Sequence, residues 1–541
     1  MKSIVKYLFV LMLLSFPFML VADEDDEDGQ AEEKAVSSDD EDEDGDEDEA
    51  PSPKSETKPA EAEAPAAEEA PVKAEKAEAP ASGEEVAAAE EPAPEEKADE
   101  GKEKKKDDGR GFVFGSYGRV QPATDLRGGS PKWVNIVGHG SRLEQSSYVE
   151  LDFAYLFQKI GDNGPLFDFV STLAFSESLF HDNGKWIALN TVRNLFVRAE
   201  NVFWKPLGFW VGSRMYRGDD IYLLDFWPLD DDNIYGGGVT LHFDNWGLEY
   251  YFGFNRLEVD WQYQSQEVVS DTFGTESITW MDRQRIVTGL KYLHRYNISD
   301  KLGLKWKLIG EFQRISSGEK SNDPLDEDNS IVYPEDFGWS VGGQLGFFGY
   351  AKNSFTDIFF KYSGGLAAYG LMSVPWGFDS DYKTKDAREL LFAVTSNLEI
   401  GWFGAIFGGY VRSFRDSDGN KYDNDDFVEY TFSLRPHFFI HENFYLAFEV
   451  SHQLKDMNGL TTLSNGETKS ARPQVTKFSL IPIVTYGGGN YGRPQLRLVY
   501  TLAVQNDDAR YSYNKEDYRA KHSILHYFGL SAEWWFNVDH R

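Results

Sequence analysis

From about residue 110 to its end the chain repeats one pattern, roughly ten residues alternating apolar and polar and then a turn. In the run Tyr148-Val-Glu-Leu-Asp-Phe-Ala-Tyr-Leu-Phe157, one parity holds Val149, Leu151, Phe153, Tyr155 and Phe157, and the other begins Tyr148, Glu150, Asp152. Successive side chains of a strand point to opposite faces, so each such run has a greasy face and a wet face. The pattern returns at Phe444, Leu446, Phe448 and Val450 against Tyr445, Glu449 and Ser451, and at Leu496, Leu498, Tyr500 and Leu502 against Arg493, Gln495 and Arg497. The alternation fixes an all-β fold. It does not say which face is outside, because a soluble sandwich and a membrane barrel carry the same pattern turned opposite ways.

The N-terminus separates the two. Lys2 and Lys6 precede an apolar stretch from Tyr7 to Val21, broken by Ser15 and Pro17, and Ala22 stands before a burst of acids. This predicts a secretory signal over residues 1–22. The stretch is too short and too interrupted for a transmembrane helix, which needs about 20 apolar residues, and no other run approaches that length. An exported chain with many amphipathic strands of bilayer height predicts a transmembrane antiparallel β-barrel in a Gram-negative-type outer membrane.

Composition then divides the mature chain. Residues 23–108 carry 36 Asp and Glu against 10 Lys and Arg, much of the remainder being Ala, Pro and Gly, with no aromatic residue. Such a segment has no material for a core and is expected to be a disordered acidic extension over 23–109, followed by the barrel over 110–541. Most of the chain's net charge of −36 therefore belongs to the extension, and no basic cluster points to nucleic acid. The absence of cysteine rules out disulfides and thiol chemistry, and no cofactor or metal is expected. About 430 residues divided into strands of about ten, joined by alternating short turns and longer loops, give roughly sixteen to eighteen strands and an aqueous lumen. Ser299-Asp300-Lys301, Asn353-Ser354 and Gly487-Gly488-Gly489 are turn signals.

The segment Phe209-Trp-Val-Gly-Ser-Arg-Met-Tyr-Arg-Gly-Asp-Asp-Ile-Tyr-Leu-Leu-Asp-Phe-Trp227 leaves a strand for a loop dense in acids, Arg and aromatics. It resembles the maltoporin family, which carries a Trp-Ala-Gly-Lys-Arg-Phe-Tyr, then Asp, then Ile-Asp-Phe-Tyr signature there. Phe114-Gly-Ser-Tyr-Gly-Arg119, Ser141-Arg-Leu143, Tyr148-Val-Glu150, Tyr491-Gly-Arg-Pro494 and Ala532-Glu-Trp-Trp-Phe536 follow the family in order, so the resemblance covers nearly all of residues 112–536. It implies an eighteen-stranded homotrimeric channel, with an inward-folded constriction loop, through which linear oligosaccharides such as maltodextrins slide along an aromatic lane. A glucose ring has an apolar face that lies on an aromatic ring and a hydroxyl rim that takes hydrogen bonds from ionised groups. By resemblance the lane falls on Tyr117, Tyr148, Trp186, Tyr491 and Trp535. The polar tracks fall on Arg119, Arg142, Glu150, Arg193, Asp220 and Asp225, and the constriction on Trp227.

The chain also departs from the family. A lane Phe aligns with Val341, leaving a station absent or supplied by Trp339; a constriction-loop Arg aligns with Gly218, with Arg217 as its substitute; and the constriction Tyr is Trp227. The loop disulfide of many members cannot form without cysteine.

Plainer readings stand beside these. Taken alone, Tyr117 or Trp535 near a strand end reads as a membrane-interface girdle residue before a sugar platform. The acids Asp230, Asp231 and Asp232 read as solvated loop charges before a calcium site, and Arg493 and Arg497 read as lumen residues or as partners of acids across the wall. No His, Asp or Ser constellation argues for an enzyme. The leading expectation is a passive porin for maltose, maltodextrins or related oligosaccharides, in contact with outer-membrane lipid. The alternatives are a general or differently selective diffusion pore, and a barrel that anchors a structural protein working through its acidic extension. With both termini expected on the periplasmic side, residues 23–109 are expected to hang there and to offer a contact to the cell wall.

Overall fold

The computed structural model describes residues 110–159, 161, 164–177, 189–270, 274–299, 301–321, 330–420 and 425–538. Among them, eighteen strands form one closed antiparallel wall. The first nine are β1 (Phe112–Val120), β2 (Ser147–Leu156), β3 (Leu166–Glu177), β4 (Leu189–Glu200), β5 (Leu207–Arg217), β6 (Asp231–His242), β7 (Trp246–Asn255), β8 (Arg285–Asn297) and β9 (Gly303–Ile315). The rest are β10 (Asp336–Phe348), β11 (Lys352–Gly365), β12 (Arg388–Ile400), β13 (Phe403–Arg415), β14 (Phe427–His441), β15 (Phe444–Met457), β16 (Gln474–Thr485), β17 (Gln495–Gln505) and β18 (Ile524–Phe536). Each pairs with its chain neighbours, and β1 pairs with β18 to close the ring, Tyr117 opposite Trp535 and Arg119 opposite Glu533. A strand of ten residues rising about 3.3 Å each, tilted about 40°, spans about 25 Å, the height of a membrane's apolar band.

The wall is inside out relative to a soluble protein. Tyr155, Val450 and Leu496 are 46%, 45% and 61% exposed, whereas Asp152, Glu449 and Arg497, on the opposite parity of the same strands, are 6%, 1% and 4% exposed. A single exposed leucine means little, but an apolar face repeated on strand after strand makes a surface that is stable only in lipid. The greasy parity is therefore the outside and the wet parity the lumen.

Connections alternate between short turns such as 243–245, 349–351, 401–402 and 442–443 and longer segments such as 121–146, 218–230, 366–387 and 506–523. The start of β1 and the end of β18 lie on the rim of the short turns. Of the expected turn signals, the Gly487 run falls in the β16–β17 turn and Ser299 in the β8–β9 turn. Asn353 sits instead as a bulge just inside β11, with φ of 50°.

Two long segments fold into the lumen. Residues 121–146 run along the β15–β18 wall, Leu143 packing on Tyr445, Ala447, Ile481, Ile483 and Val499, and Val134 on Val475, Ala503 and Leu525. Residues 218–230 cross to the opposite wall. There Ile221, Leu224 and Leu229 are buried against Ile309 of β9, Phe359 of β11, Leu391 and Ala393 of β12, and Tyr410 of β13.

Candidate translocation path

The loop 218–230 is held by its own backbone as well as by its apolar side chains. Ile221 N–H donates to Phe226 O at 2.7 Å around the 3-10 turn Tyr222–Leu224, and Asp225 closes that turn in the left-handed region at φ of 52°. Asp tolerates that conformation better than most residues. A Cβ on Gly218 would fall 2.2 Å from Asp230 Oδ1 and 2.6 Å from Lys307 Nζ, so a side chain there would require that ion pair to shift.

The register of three neighbouring strands sets the aromatic residues on a diagonal. In β1 Tyr117 shares luminal parity with buried Arg119, and in β18 Trp535 shares it with buried Glu533. Neither is a girdle residue. Tyr148 on β2 faces the lumen, as its parity with Glu150 predicts, and its ring lies 6.1 Å from that of Tyr117. Tyr117 is paired across the sheet with Trp535. Tyr222 of the loop meets both Trp535, at 6.2 Å, and Tyr491 of the β16–β17 turn, at 5.3 Å. The diagonal runs Tyr148, Tyr117, Trp535, Tyr491. Trp186 lies outside the described residues.

A further ring, not foreseen, continues it. Phe355 of β11 stacks on Tyr491 at 6.1 Å and 28°. Its parity with Asp357, Phe359 and Ser363, all buried in the lumen, was the available signal. Val341 and Trp339 are 48% and 42% exposed on the outer face of β10, so neither supplies a lane station.

Charged groups flank the rings, almost all of them in pairs. Arg119 binds Asp225 at 2.8 Å and donates to Tyr117 Oη at 3.2 Å. Arg142 donates to the hydroxyl of Tyr117 and lies 2.9 Å from Glu533. Tyr148 donates to Glu150, which Arg193 approaches to 3.4 Å and Arg217 to 3.9 Å. Arg217 also covers the ring of Trp227 at 3.9 Å and binds Asp231 at 3.0 Å, so a cation does reach the constriction from the position beside Gly218. Arg493 and Arg497 prove to be both luminal and paired. They converge with Arg142 on Glu533, and Tyr222 Oη donates to the same carboxylate at 2.7 Å. Among the described residues Asp220 makes no hydrogen bond or ion pair with another residue.

Burial raises the Asp225 carboxyl, but Arg142 and Arg119 outweigh that and hold it below the ordinary range. Burial pushes Asp220 up to about 6 although Arg142 lies near, with Asp225 and Asp219 adding to the rise. His139 of the 121–146 segment stacks on Phe226 at 4.0 Å, where the two in-folded segments meet. Burial, with Arg412 beside it, brings it down to about 4 and keeps it neutral at pH 7.

Of the triple acid, Asp231 is exposed as expected, but Asp230 is not. Asp230 is 4% exposed and takes Lys307 at 2.6 Å and Lys291 at 3.2 Å. Two ammonium groups from the barrel wall occupy the place a metal ion would take, and among the described residues no group of three metal-binding side chains occurs.

A closed barrel with an apolar outer face, a charged lumen, an in-folded loop and a diagonal of rings defines an outer-membrane porin. Residues 112–536 match the LamB porin family, and the chain belongs to it. No curated protein matches. Similar solved structures include OccK10 (OpdN) of Pseudomonas aeruginosa, 12% identical over 80% of this chain and 99% of that one, with a TM-score of 0.35. Another is OccAB1 of Acinetobacter baumannii, 12% identical over 79% and 95%, TM-score 0.38. A third is the outer-membrane expressed OmpT of Vibrio cholerae, 10% identical over 79% and 97%, TM-score 0.33.

Proposed function

We propose that this porin carries maltose, maltodextrins or closely related oligosaccharides passively along the diagonal Tyr148, Tyr117, Trp535, Tyr491, with Trp186 as a further member of the lane. The supporting observation is the juxtaposition of those rings with pre-paired ionised groups. Arg119, Arg142, Glu150, Arg193, Asp220 and Asp225 offer hydrogen bonds to the hydroxyl rim, while Trp227 and Arg217 set the width of the constriction. Several similar weak stations in a row let a sugar enter and leave, which a single tight site would prevent.

The test is ion current through the full chain in a planar bilayer, titrated with maltotriose, sucrose and an uncharged non-sugar of similar size. Saturable block by maltotriose, weakened in Tyr148→Ala and Trp535→Ala, supports the lane. Conductance indifferent to every sugar would favour a general diffusion pore instead. The chemistry is a channel's, with no bond made or broken.

The same reading extends to assembly and placement. We infer a homotrimer, on the family resemblance, and a cleaved signal over residues 1–22. Residues 23–109 are proposed to extend into the periplasm, because β1 starts on the rim of the short turns, the periplasmic rim of such barrels. A polyanionic extension there would act as a tether or screen, in contact with the cell wall. Labelling of intact cells at a cysteine engineered near residue 60 would overturn that placement.

A further inference from the structure

Asp220 is the exception among the ionised groups of the constriction. Asp225 has Arg119, Asp219 has Lys305 at 2.8 Å, Glu150 has Arg193 and Arg217, and Glu533 has three guanidinium groups. Asp220 stands one residue before the buried Ile221, within electrostatic reach of the Tyr491 hydroxyl, with Arg142, Asp225 and Asp219 as its charged neighbours. Among the described residues no cation is free to meet it: position 218 beside it is a glycine, Lys307 is turned onto Asp230 at 2.6 Å, and Arg142 is held by Glu533 and Tyr117.

An unneutralised carboxylate inside a narrow lumen is unfavourable, and a cation that arrives with the solute relieves it. A neutral hydroxyl can only hydrogen-bond to it, whereas a hydrogen bond from an ammonium group to a carboxylate is roughly twice as strong. Tyr491, within electrostatic reach of it, is the aromatic ring for the sugar ring that carries the ammonium. Building on the lane proposed above, we infer that the channel favours saccharides bearing a free amino group, typified by glucosamine oligomers, with a ring on Tyr491 and its ammonium at Asp220. The preference needs the ionised carboxylate, so it is present at pH 7 and fades as the pH falls through about 6.

The test measures block of ion current through the full chain in planar bilayers at pH 7 by three probes: the glucosamine trimer, its fully N-acetylated form, and maltotriose. The amine trimer is expected to bind about fivefold more tightly than the acetylated trimer, the size of one partly exposed ion pair. That ratio should fall to near one in Asp220→Asn and at pH 5, while Trp535→Ala should weaken all three probes together. A ratio near one in the unmodified chain, with maltotriose still blocking, would overturn this inference and leave the lane standing. A ratio that persists in Asp220→Asn would overturn it as well, by placing the ammonium elsewhere. If none of the three blocks, the lane itself falls and this inference falls with it.

Discussion

Two parts of the lumen wall are built from the same alternation and end in opposite states. On β17, β18, β1 and β2 the luminal rings of Trp535, Tyr117 and Tyr148 border the path, with guanidinium–carboxylate pairs along their edges. On β9, β11, β12 and β13 the luminal residues Ile309, Phe359, Leu391 and Ala393 are apolar, and the loop 218–230 covers them. Parity decides only which residues face inward. Whether an inward face is left wet or covered depends on its chemistry. An apolar luminal patch recruits a loop, because leaving it in water forgoes about 25 cal/mol for every Å² it would bury. The loop is thereby held between that wall and the rings, its Tyr222 against Trp535 and Tyr491.

The largest effect should come from undoing that difference. Ile221→Asp with Leu224→Asp places carboxylates against an apolar wall, at a cost on the order of 3 kcal/mol or more. The loop should release, single-channel conductance should rise and block by sugar should vanish. Unchanged conductance would mean that the loop is not what narrows the pore.

Glu533→Gln strikes the other wall. It leaves Arg142, Arg493 and Arg497 without their common carboxylate in a buried site and should destabilise the barrel by about 3–5 kcal/mol. Denaturant unfolding in detergent micelles reads this directly. A shift no larger than that of a surface mutant would show the cluster to be hydrated and of little weight.

Removing a single ring is milder. Trp535→Ala should weaken maltotriose block about fivefold, corresponding to about 1 kcal/mol of stacking. Trp339→Ala, on the outer face of β10, should change the block constant by less than about 0.5 kcal/mol. Equal effects from the two would mean that the face assignment of β10 or β18 is wrong.

The smallest expected effect is electrical. Asp220 is neutral below about pH 6 and ionised above it, so raising the pH from 5 to 7 adds one negative charge to the constriction. Cation selectivity, read as a reversal potential in a salt gradient, should rise modestly over that interval. The step should disappear in Asp220→Asn.

Much of the barrel was legible in the chain because a strand's side chains alternate with period two whatever surrounds them. Tyr148, Glu150 and Asp152 could be assigned to the lumen from parity once the N-terminal signal had pointed to a barrel, and the structure places them there. The aromatic and charged positions around Tyr117, Arg119, Arg142, Asp225 and Trp535 were reachable through ordered family motifs. Phe355 was missed because the lane Phe was sought at Val341 on β10, although parity with Asp357 and Phe359 within β11 points Phe355 inward. Asp230 was misjudged because an acid's solvation depends on what folds over it, and Lys291 and Lys307 lie on strands far along the chain.

The sequence by itself determined that this chain makes strands and which parity of each is greasy, and its composition over residues 23–108 offers no aromatic residue for a core. These follow from local backbone geometry and composition. Only the tertiary structure decided that β1 closes on β18 in the register that sets Tyr117 opposite Trp535. It also decided that the loop 218–230 leans on the β9–β13 wall, and that among the described acids of that loop Asp220 makes no ion pair. Those outcomes depend on contacts between residues hundreds of positions apart, and period-two alternation carries no information about which distant strands will meet.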